Sequence, residues 1–418
     1  MTDREICETS TLPESTFPNG TIPVKPDSFM PWTRAVLIML KAVRMGELHL
    51  QTPNGQLHII KGSEPGPKAH LQLHSDAVCR RLLLGGDLRF GEDYMDGTWD
   101  TPDLTALLSF GAVNRNALAK ALDGTRLGRF MKTLGHLSNR NTKRGSRRNI
   151  AHHYDIGNTF YGKWLDPSMT YSSAVFEPGV EELEPAQRRK YQRIADMLQL
   201  EPGQTVLEIG CGWGGFASVA VREYGARVVG LTLSQEQHDY AIERAKREGI
   251  ADKVSIQLCD YRDVDGRFDH IASIEMFEAV GEQYWPVFFD QVKARLTDTG
   301  RAAMQIITIN DRDFESYRRN PDFIQKYIFP GGMLPSEVRL TDHFDASGLE
   351  CVANDGFGID YARTLAIWRE RFLARWPEIA PLGFDERFRR MWEYYLCYCE
   401  GGFRAGLIDV RQIALKHA

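Results

Sequence analysis

The sequence predicts an α/β protein whose larger part is a parallel sheet covered by helices and preceded by a smaller α+β domain. From about residue 200, short apolar segments alternate with amphipathic ones, a pattern typical of strands joined by helices. A glycine-rich loop follows the first of these strands and opens a helix. Before residue 110, short segments show the two-residue period of half-buried strands.

The N-terminal part of the chain divides into a tail, a small domain and a linker. Residues 1–27 carry four prolines among polar residues, which predicts a flexible tail. A helix over about 31–45 and strands in ELHLQT and QLHII come next. A Gly/Asp-rich turn at 85–108 then leads into a helix capped near Thr101–Asp103. We therefore expect an α+β domain over 28–110 and a basic helical linker over 111–149.

Residues 150–418 are predicted to form the larger domain. Its helices are expected around 214–224, 235–248 and 282–296. LECVANDGFG (349–358), a long helix and LIDVRQIAL (407–415) would complete the sheet. The other predicted strands are TVLEIG (205–210), ARVVGLTL (226–233), KVSIQLCD (253–260), FDHIASIEM (268–276) and RAAMQIITI (301–309).

Composition excludes several classes of protein. The 418 residues are 43% apolar and 26% charged, and no run of 18 apolar residues predicts a membrane-spanning helix. The N-terminus lacks the basic and apolar regions of a secretory signal. Seven scattered cysteines favour reduced thiols in a cytoplasmic protein, and no set of histidines and cysteines has the spacing of a metal site.

The net charge of −5 hides a basic block at 126–148. Eight basic residues and no acid fall between Arg126 and Tyr154. Such a block attracts polyanions, either nucleic acid or an anionic lipid surface, although many charge runs are only solvated helix faces.

The loop EIGCGWGGF predicts a nucleotide-like ligand. Gly210 and Gly212 would let the backbone approach that ligand, and the next helix offers free amides. No Lys-Ser/Thr pair follows, which excludes a triphosphate-binding loop. The second strand ends in GLTLSQEQ, so Thr232 and Gln237 are candidates for contacting ribose hydroxyls.

A second feature is ASIEMFEAVG, residues 272–281, which puts Glu275 and Glu278 in an otherwise apolar run. A carboxylate near the end of an apolar strand costs free energy unless it binds or orients something.

Together these motifs resemble the cyclopropane-fatty-acyl-phospholipid synthase family, which has a class I S-adenosylmethionine (AdoMet) methyltransferase core. The resemblance covers about residue 28 to the end and is strongest from 149. The matching stretches, in order, are HHYDIGNTFY (152–161), LDPSMTYSSAVF (165–176), VLEIGCGWGGF (206–216), GLTLSQEQ (230–237), CDYRD (259–263), MFEAVG (276–281), YIFPGGMLPS (327–336) and FGIDYARTLAIW (357–368).

The resemblance implies a Rossmann-like seven-stranded sheet and transfer of the AdoMet methyl group to a double bond in a phospholipid acyl chain. The product would be a cyclopropane or a methylene- or methyl-branched chain, formed through a carbocation. The implied AdoMet pocket comprises Tyr171, Ser172, Gly210, Gly212, Thr232 and Gln237, with Asp260, Tyr261 and Arg262 near the adenine.

In this family the proton acceptor is thought to be a bound bicarbonate. By motif, its ligands here are Glu278, Tyr361, a main-chain carbonyl near Ile307, and Ser173 and Gln305 at positions where cysteine and histidine are common. Glu275 is expected to have only a structural role. Serine and glutamine can hydrogen-bond an anion but do not titrate near neutrality. Gln305 and Ala279 also occur in plant members of the family and are compatible with cyclopropanation, so Ser173 is the more telling change. We expect these changes to permit a different site of proton loss.

The resemblance also implies docking on a phospholipid bilayer, at the inner face of the membrane, by a cytoplasmic protein. Residues 28–110 would be a lipid-interacting domain, and the basic block would bind phosphate headgroups. Nucleic acid is disfavoured because no aromatic residues interleave with the block. Small-molecule N-methylation and a degenerate lipid-binding relative are the alternatives, and the sequence leaves a homodimer open.

Overall fold

The computed structural model describes residues 30–123 and 156–418. Its N-terminal region contains three helices and four strands. These are α1 (Pro31–Leu40), β1 (Met45–Gln51), β2 (Leu57–Lys61), β3 (Glu64–Leu73), α2 (Asp76–Met95), β4 (Trp99–Asp100) and α3 (Leu104–Asp123). The strands form a sheet of order β2-β1-β3-β4, in which β1 is antiparallel to β2 and parallel to β3. One face is apolar and buried, as the two-residue period predicts: Leu48, Leu50, Ala69, Leu71 and Leu73.

The predicted turn at 85–108 is largely wrong, because most of its first half is helical. Helix α2 runs to Met95 and only kinks at Gly86, where φ is 65° and ψ is −157°. Tyr94 and Met95 bury their side chains, and this burial outweighs the weak helix propensity of the glycines. The cap of the next helix agrees with the prediction, since the amide of Ala106 donates to Asp103 Oδ1 at 2.9 Å.

The C-terminal region alternates strands and helices, as predicted. Its strands are β5 (Thr205–Ile209), β6 (Arg227–Thr232), β7 (Val254–Leu258), β8 (Phe268–Ile274), β9 (Leu296–Ile309), β10 (Leu349–Gly356) and β11 (Ile408–His417). Its helices are α4 (Asn158–Trp164), α5 (Leu183–Leu198), α6 (Gly215–Tyr224), α7 (Gln235–Arg247), α8 (Trp285–Arg295), α9 (Asp311–Arg319), α10 (Glu337–Ser347), α11 (Gly358–Ala374), α12 (Trp376–Ile379) and α13 (Glu386–Arg404).

The seven-stranded sheet has the order β10-β11-β9-β8-β5-β6-β7. Five strands, β5 to β9, run parallel to their neighbours within this group, whereas β11 is antiparallel to both β9 and β10. The five strands predicted to form a parallel sheet do so, and the two strands predicted to complete the sheet, β10 and β11, form an edge in which β11 is antiparallel. The carboxyl ends of β5, β6 and β8 meet at one edge of the sheet, where ligands bind in open α/β folds.

The two regions share one core, because α13 packs against both α2 and α3. Trp99 of the N-terminal region and Trp392 of α13 are both buried in it. Arg390 ties the regions together: its guanidinium donates to the carbonyl of Trp99 at 3.1 Å and to Asp100 Oδ1 at 2.8 Å. The N-terminal sheet is thereby held beside the larger sheet.

Several predicted features lie outside the described residues, namely the tail 1–27 and the basic block 126–148. Helix α3 continues past residue 110, and the predicted domain limits remain predictions. Within residues 30–123 and 156–418, no helix has the length and apolar character needed to cross a bilayer.

Candidate active site

A cavity of about 1110 Å³ lies between the N-terminal sheet and the carboxyl edge of the larger sheet. Leu48 and Leu50 of β1 line it at one end, and Gly210 and Gly212 line it at the other. Glu275 and Glu278 are in its wall between these ends. Most of the predicted site residues therefore converge on one space.

The glycine loop between β5 and α6 takes a conformation that favours glycine. Gly210, Gly212 and Gly214 have φ values of 83°, 50° and 79°. A Cβ on Gly210 would lie 2.6 Å from Met276 Cγ, whereas a Cβ on Gly212 would meet no atom of the described residues within 4 Å. Gly210 is thus needed for packing, and Gly212 leaves open space beside the backbone for a ligand.

Glu208 is a site residue that sequence reasoning missed, although it stands within the EIGCG motif. It lies on β5, is 2% exposed and contacts the cavity, and its Oε2 is buried without a hydrogen-bond partner among the residues that the structure describes. Burial raises the pKa of Glu208 well above its usual range, and the charges of Arg244 and Lys190 oppose that shift. An unpartnered buried carboxylate suits a cationic ligand, and AdoMet is one.

Thr232 and Gln237 are brought together at the end of β6, as predicted. The Thr232 hydroxyl donates to Gln237 Oε1 at 2.9 Å, and both residues line the cavity. Ser234 caps α7 by accepting a hydrogen bond from the amide of Gln237 at 3.3 Å. The cap fixes Gln237 in the first turn of α7, which places its side chain beside Thr232 at the cavity, where the pair can contact ribose hydroxyls.

Tyr171 and Ser172 also line the cavity. The Tyr171 hydroxyl lies 2.7 Å from that of Tyr395. Ser172 accepts a hydrogen bond at 2.5 Å from Lys190, which is fully buried on α5. Burial lowers the pKa of Lys190 to about 7. No sequence pattern points to Lys190, because its charge belongs to the polar pattern of an ordinary amphipathic helix.

Of the predicted adenine neighbours, Tyr261 lines the cavity. Asp260 and Arg262 bind each other beside it, with Nε to Oδ1 at 2.8 Å and Nη2 to Oδ2 at 2.7 Å. Asp260 Oδ1 also accepts from the amide of Arg262 at 3.0 Å. The ion pair therefore shapes the loop after β7 that presents Tyr261.

Three of the predicted bicarbonate ligands, Ser173, Gln305 and Tyr361, bind Glu275, whereas Glu278 and Ile307 bind each other and line the cavity. Glu275 Oε1 accepts from the amide of Ser173 at 2.8 Å and from Gln305 Nε2 at 2.7 Å. Glu275 Oε2 accepts from the Tyr361 hydroxyl at 2.7 Å. The expectation of a merely structural Glu275 did not anticipate this, because the sequence does not reveal which of two nearby acids turns toward β9 and α11.

Glu278 occupies a different environment three residues later, in a short 3₁₀ turn. Its Oε1 accepts from the amide of Ile307 at 2.5 Å, and its Oε2 is buried without a partner in the ranges 30–123 and 156–418. Burial, and then the charge of Glu275, raise the pKa of Glu278 to about 8. The amide of Ile307 thus holds Glu278, and the role predicted for the main-chain carbonyl near Ile307 stays a prediction.

Comparisons with known proteins agree with this arrangement. A family model described as mycolic acid cyclopropane synthetase matches residues 141–413. The tuberculostearic acid methyltransferase UfaA1 of Mycobacterium tuberculosis is 41% identical over 349 residues, 81% of this chain and 81% of that protein. The cyclopropane-fatty-acyl-phospholipid synthase of Escherichia coli K12 is 39% identical over 364 residues, 85% of this chain and 89% of that protein.

A solved structure gives the same result for the fold. The mycolic acid cyclopropane synthase CmaA1, complexed with SAH and CTAB, matches with a TM-score of 0.61 at 30% identity, covering 67% of this chain and 99% of that one. The predicted class I methyltransferase fold is thereby confirmed. The chain belongs to the mycolic acid cyclopropane synthetase family, which confirms the family resemblance carried by its motifs.

Proposed function

We propose that this protein transfers the methyl group of AdoMet to a double bond in the acyl chain of a membrane phospholipid. The observation that carries the proposal is the single cavity that joins the glycine loop to the N-terminal sheet. An acyl chain needs an apolar channel that ends at the methyl donor, and Leu48, Leu50, Leu71 and Leu73 supply apolar lining. The two relatives, a fatty-acid methyltransferase and a phospholipid synthase by name, support this substrate.

The match to the E. coli synthase supports a lipid-interacting role for the N-terminal domain. The family model begins at residue 141, so it leaves that domain out. An alignment covering 85% of this chain extends into the domain, because residues 141–418 amount to only about two thirds of the 418. The sequence that aligns with a protein named for making a phospholipid therefore includes part of the N-terminal domain as well as the methyltransferase core, which supports a shared role for the two.

The residues at the glycine loop fit AdoMet, which supplies an electrophilic methyl group on a positively charged sulfur. Glu208 offers an unpartnered carboxylate oxygen to the cationic methionine part. Thr232 and Gln237 offer a hydroxyl and an amide to the ribose, and Tyr261 offers a ring to the adenine. Gly212 lets the backbone approach closely.

The cavity wall also suits a reaction through a carbocation. Methyl transfer leaves one former alkene carbon electron-deficient, and water would trap it. Tyr171, Phe329 and Tyr395 line the cavity, and aromatic faces stabilise a nearby positive charge. A proton must then leave the substrate. Loss from the delivered methyl group closes a cyclopropane, and loss from a neighbouring carbon gives a branched alkene.

Access of the substrate requires peripheral docking on a bilayer, for which the basic block is the proposed contact. Each basic residue near an anionic surface contributes about 1 kcal/mol of attraction. Reversing the charge of Arg144, Arg147 and Arg148 should abolish sedimentation with liposomes that contain anionic lipid. Sedimentation equal to that of the wild type would contradict this part of the proposal.

The proposed function is tested by incubating the purified protein with AdoMet carrying a CD₃ group and with vesicles of an unsaturated phospholipid. Mass spectrometry of the released fatty acids should show deuterium in the acyl chain. A product with two deuterium atoms fits proton loss from the delivered methyl carbon, as in a cyclopropane or a methylene branch, whereas retention of all three excludes both. No label in the lipid, with AdoMet binding intact in calorimetry, would overturn the acyl substrate.

A further inference from the structure

The carboxylate of Glu275 is held by donors from three separate elements. The amide of Ser173 and Gln305 Nε2 donate to Oε1, at 2.8 and 2.7 Å. The hydroxyl of Tyr361, on α11, donates to Oε2 at 2.7 Å. Two donors satisfy Oε1, while Oε2 keeps one lone pair beyond the bond from Tyr361. Such a cradle fits a carboxylate that is ionised and positioned.

A bicarbonate does not fit beside Ser173, Gln305 and Tyr361, because Glu275 and neighbouring residues already engage the polar groups of these three predicted ligands. The Ser173 hydroxyl donates to the carbonyl of Ala174 at 2.9 Å, and Gln305 Oε1 accepts from Gln412 at 3.0 Å. Ser173 and Gln305 are fully buried behind Glu275, and Glu275 and Tyr361 line the cavity. The O–C–O group of a glutamate thus stands where the O–C–O group of a bicarbonate was expected.

The backbone at Glu275 indicates that this placement is built at a cost. Glu275 has a φ of 48°, which lies in the left-handed region. This conformation costs a residue other than glycine roughly 1 kcal/mol. Its amide donates to the carbonyl of Gln305 at 2.8 Å, which anchors the strained residue to β9.

We propose that Glu275 is the proton acceptor of the reaction, in place of a bound bicarbonate. The assignment rests on the proposed acyl-chain methylation. In the first step the alkene electron pair forms the new C–CH₃ bond while the S–CH₃ pair stays on sulfur. In the second, a C–H bond of the substrate cation breaks, its electron pair forms the ring bond or new double bond, and Glu275 Oε2 takes the proton. The resulting acid releases that proton to solvent after the product leaves.

The surrounding charges agree with this role. Burial raises the pKa of Glu275, and the hydrogen bond from Tyr361 and the charge of Lys190 are the main effects that oppose it. Glu278 accepts from the amide of Ile307 and has a pKa raised to about 8, so it is mostly a neutral acid at pH 7. Two adjacent carboxylates with separated pKa values divide the roles of base and neutral hydrogen-bonding group.

The first test uses Glu275→Gln in buffer freed of carbon dioxide. Glutamine keeps the size and the acceptor for Ser173 and Gln305, so AdoMet affinity by calorimetry should stay within about twofold. Methyl transfer should fall about 100-fold or more, the range for loss of a general base. The wild type should keep its full rate without bicarbonate. A wild-type rate that collapses and returns with added bicarbonate, or an unimpaired Glu275→Gln, would overturn the assignment.

A matched control is Glu400→Gln, on α13. Glu400 is also a buried glutamate, 2% exposed, and it binds Thr105 and Arg404 away from the cavity. This variant should keep the rate of the wild type, which separates loss of a base from loss of any buried carboxylate.

The second test uses Glu275→Gly, since glycine accepts the φ of 48° and leaves the three donors facing a vacant carboxylate site. Titration of ¹³C-bicarbonate by NMR should show binding to this variant and none to the wild type. Bicarbonate or formate should also restore part of the rate of the variant. Equal bicarbonate binding by both proteins would refute the replacement. The titration needs no turnover, so it tests whether Glu275 takes the place of the anion even if the proposed lipid substrate fails.

Discussion

Glu275 and Glu278 stand three residues apart in one chain segment and line one cavity, yet they meet opposite environments. Three groups donate to Glu275, whereas the amide of Ile307 is the donor to Glu278. Glu278 keeps one buried oxygen to which no described residue donates a hydrogen bond. The chemistry of a carboxylate therefore depends on the number and aim of its donors, and sequence position does not decide it.

The comparison explains how Glu275 can act as the base and Glu278 stay a neutral acid without a bound bicarbonate. Donors stabilise the charged form of a carboxylate, and desolvation stabilises the neutral form. At Glu275, hydrogen-bond donors oppose the rise in pKa that desolvation causes. At Glu278, desolvation is the largest cause of the raised pKa. Four predictions, ordered from the largest expected effect to the smallest, test whether the different environments of Glu275 and Glu278 change stability and rate as described.

The largest difference should appear when each acid is replaced by leucine. Glu275→Leu leaves three donors without an acceptor, and a buried unsatisfied group costs about 1–3 kcal/mol, so the free energy of unfolding should fall by about 3 kcal/mol or more. Glu278→Leu leaves one amide unsatisfied, which costs about 1 kcal/mol, but it also removes the cost of keeping this acid protonated at pH 7, so its net loss should be well below that of Glu275→Leu. Urea unfolding at pH 7 measures both values. Equal costs would mean that the donors at Glu275 add no stability.

The second prediction concerns the pH dependence of stability. Between about pH 5 and 8 the unfolded chain has lost the Glu278 proton, while the folded chain, with a pKa of about 8, keeps it. The folded state then binds more protons, so the free energy of unfolding falls as pH rises, by up to about 1.4 kcal/mol per pH unit from this group. Glu278→Gln should lose this dependence and gain relative stability up to pH 8. Parallel curves for the variant and the wild type would contradict the raised pKa.

The features that follow from local sequence motifs were predicted, whereas those that depend on contacts between residues far apart in sequence were missed. The glycine loop, the pair Thr232 and Gln237, and the strand positions follow from local patterns. The position of β11 was predicted but its antiparallel direction was not, because an apolar strand has the same composition in either direction. The partners of Glu275 come from β9, α11 and the segment before α5, 30 to 102 residues away in sequence. No local pattern encodes which acid reaches them.

The third prediction is that Tyr361→Phe weakens the base without removing it. Burial raises the pKa of Glu275 and the Tyr361 hydroxyl is the main group that lowers it, so loss of the hydroxyl should raise that pKa further and move the acid limb of the pH–rate profile to higher pH. A hydrogen bond to a charged group contributes about 1.5 kcal/mol, so the rate at pH 7 should fall roughly tenfold. Tyr224→Phe is the matched control, because its hydroxyl donates to the carboxylate of Asp196 at 2.8 Å on the outer side of the helices. A lower rate with an unshifted profile would limit Tyr361 to packing.

The smallest effect is expected at Ser173, and it decides between the two views of this pocket. If Ser173 were a bicarbonate ligand, its hydroxyl would contact the anion. Ser173→Ala would then weaken binding of the anion and lower the rate strongly. In the structure the hydroxyl donates to the carbonyl of Ala174, and it is the backbone amide that contacts Glu275. Alanine keeps that amide, so the variant should lose one neutral hydrogen bond, about 0.5 kcal/mol, and about twofold in rate. Steady-state kinetics in buffer freed of carbon dioxide measures this rate. A decrease in rate of more than tenfold would indicate that the hydroxyl of Ser173 takes part in the reaction.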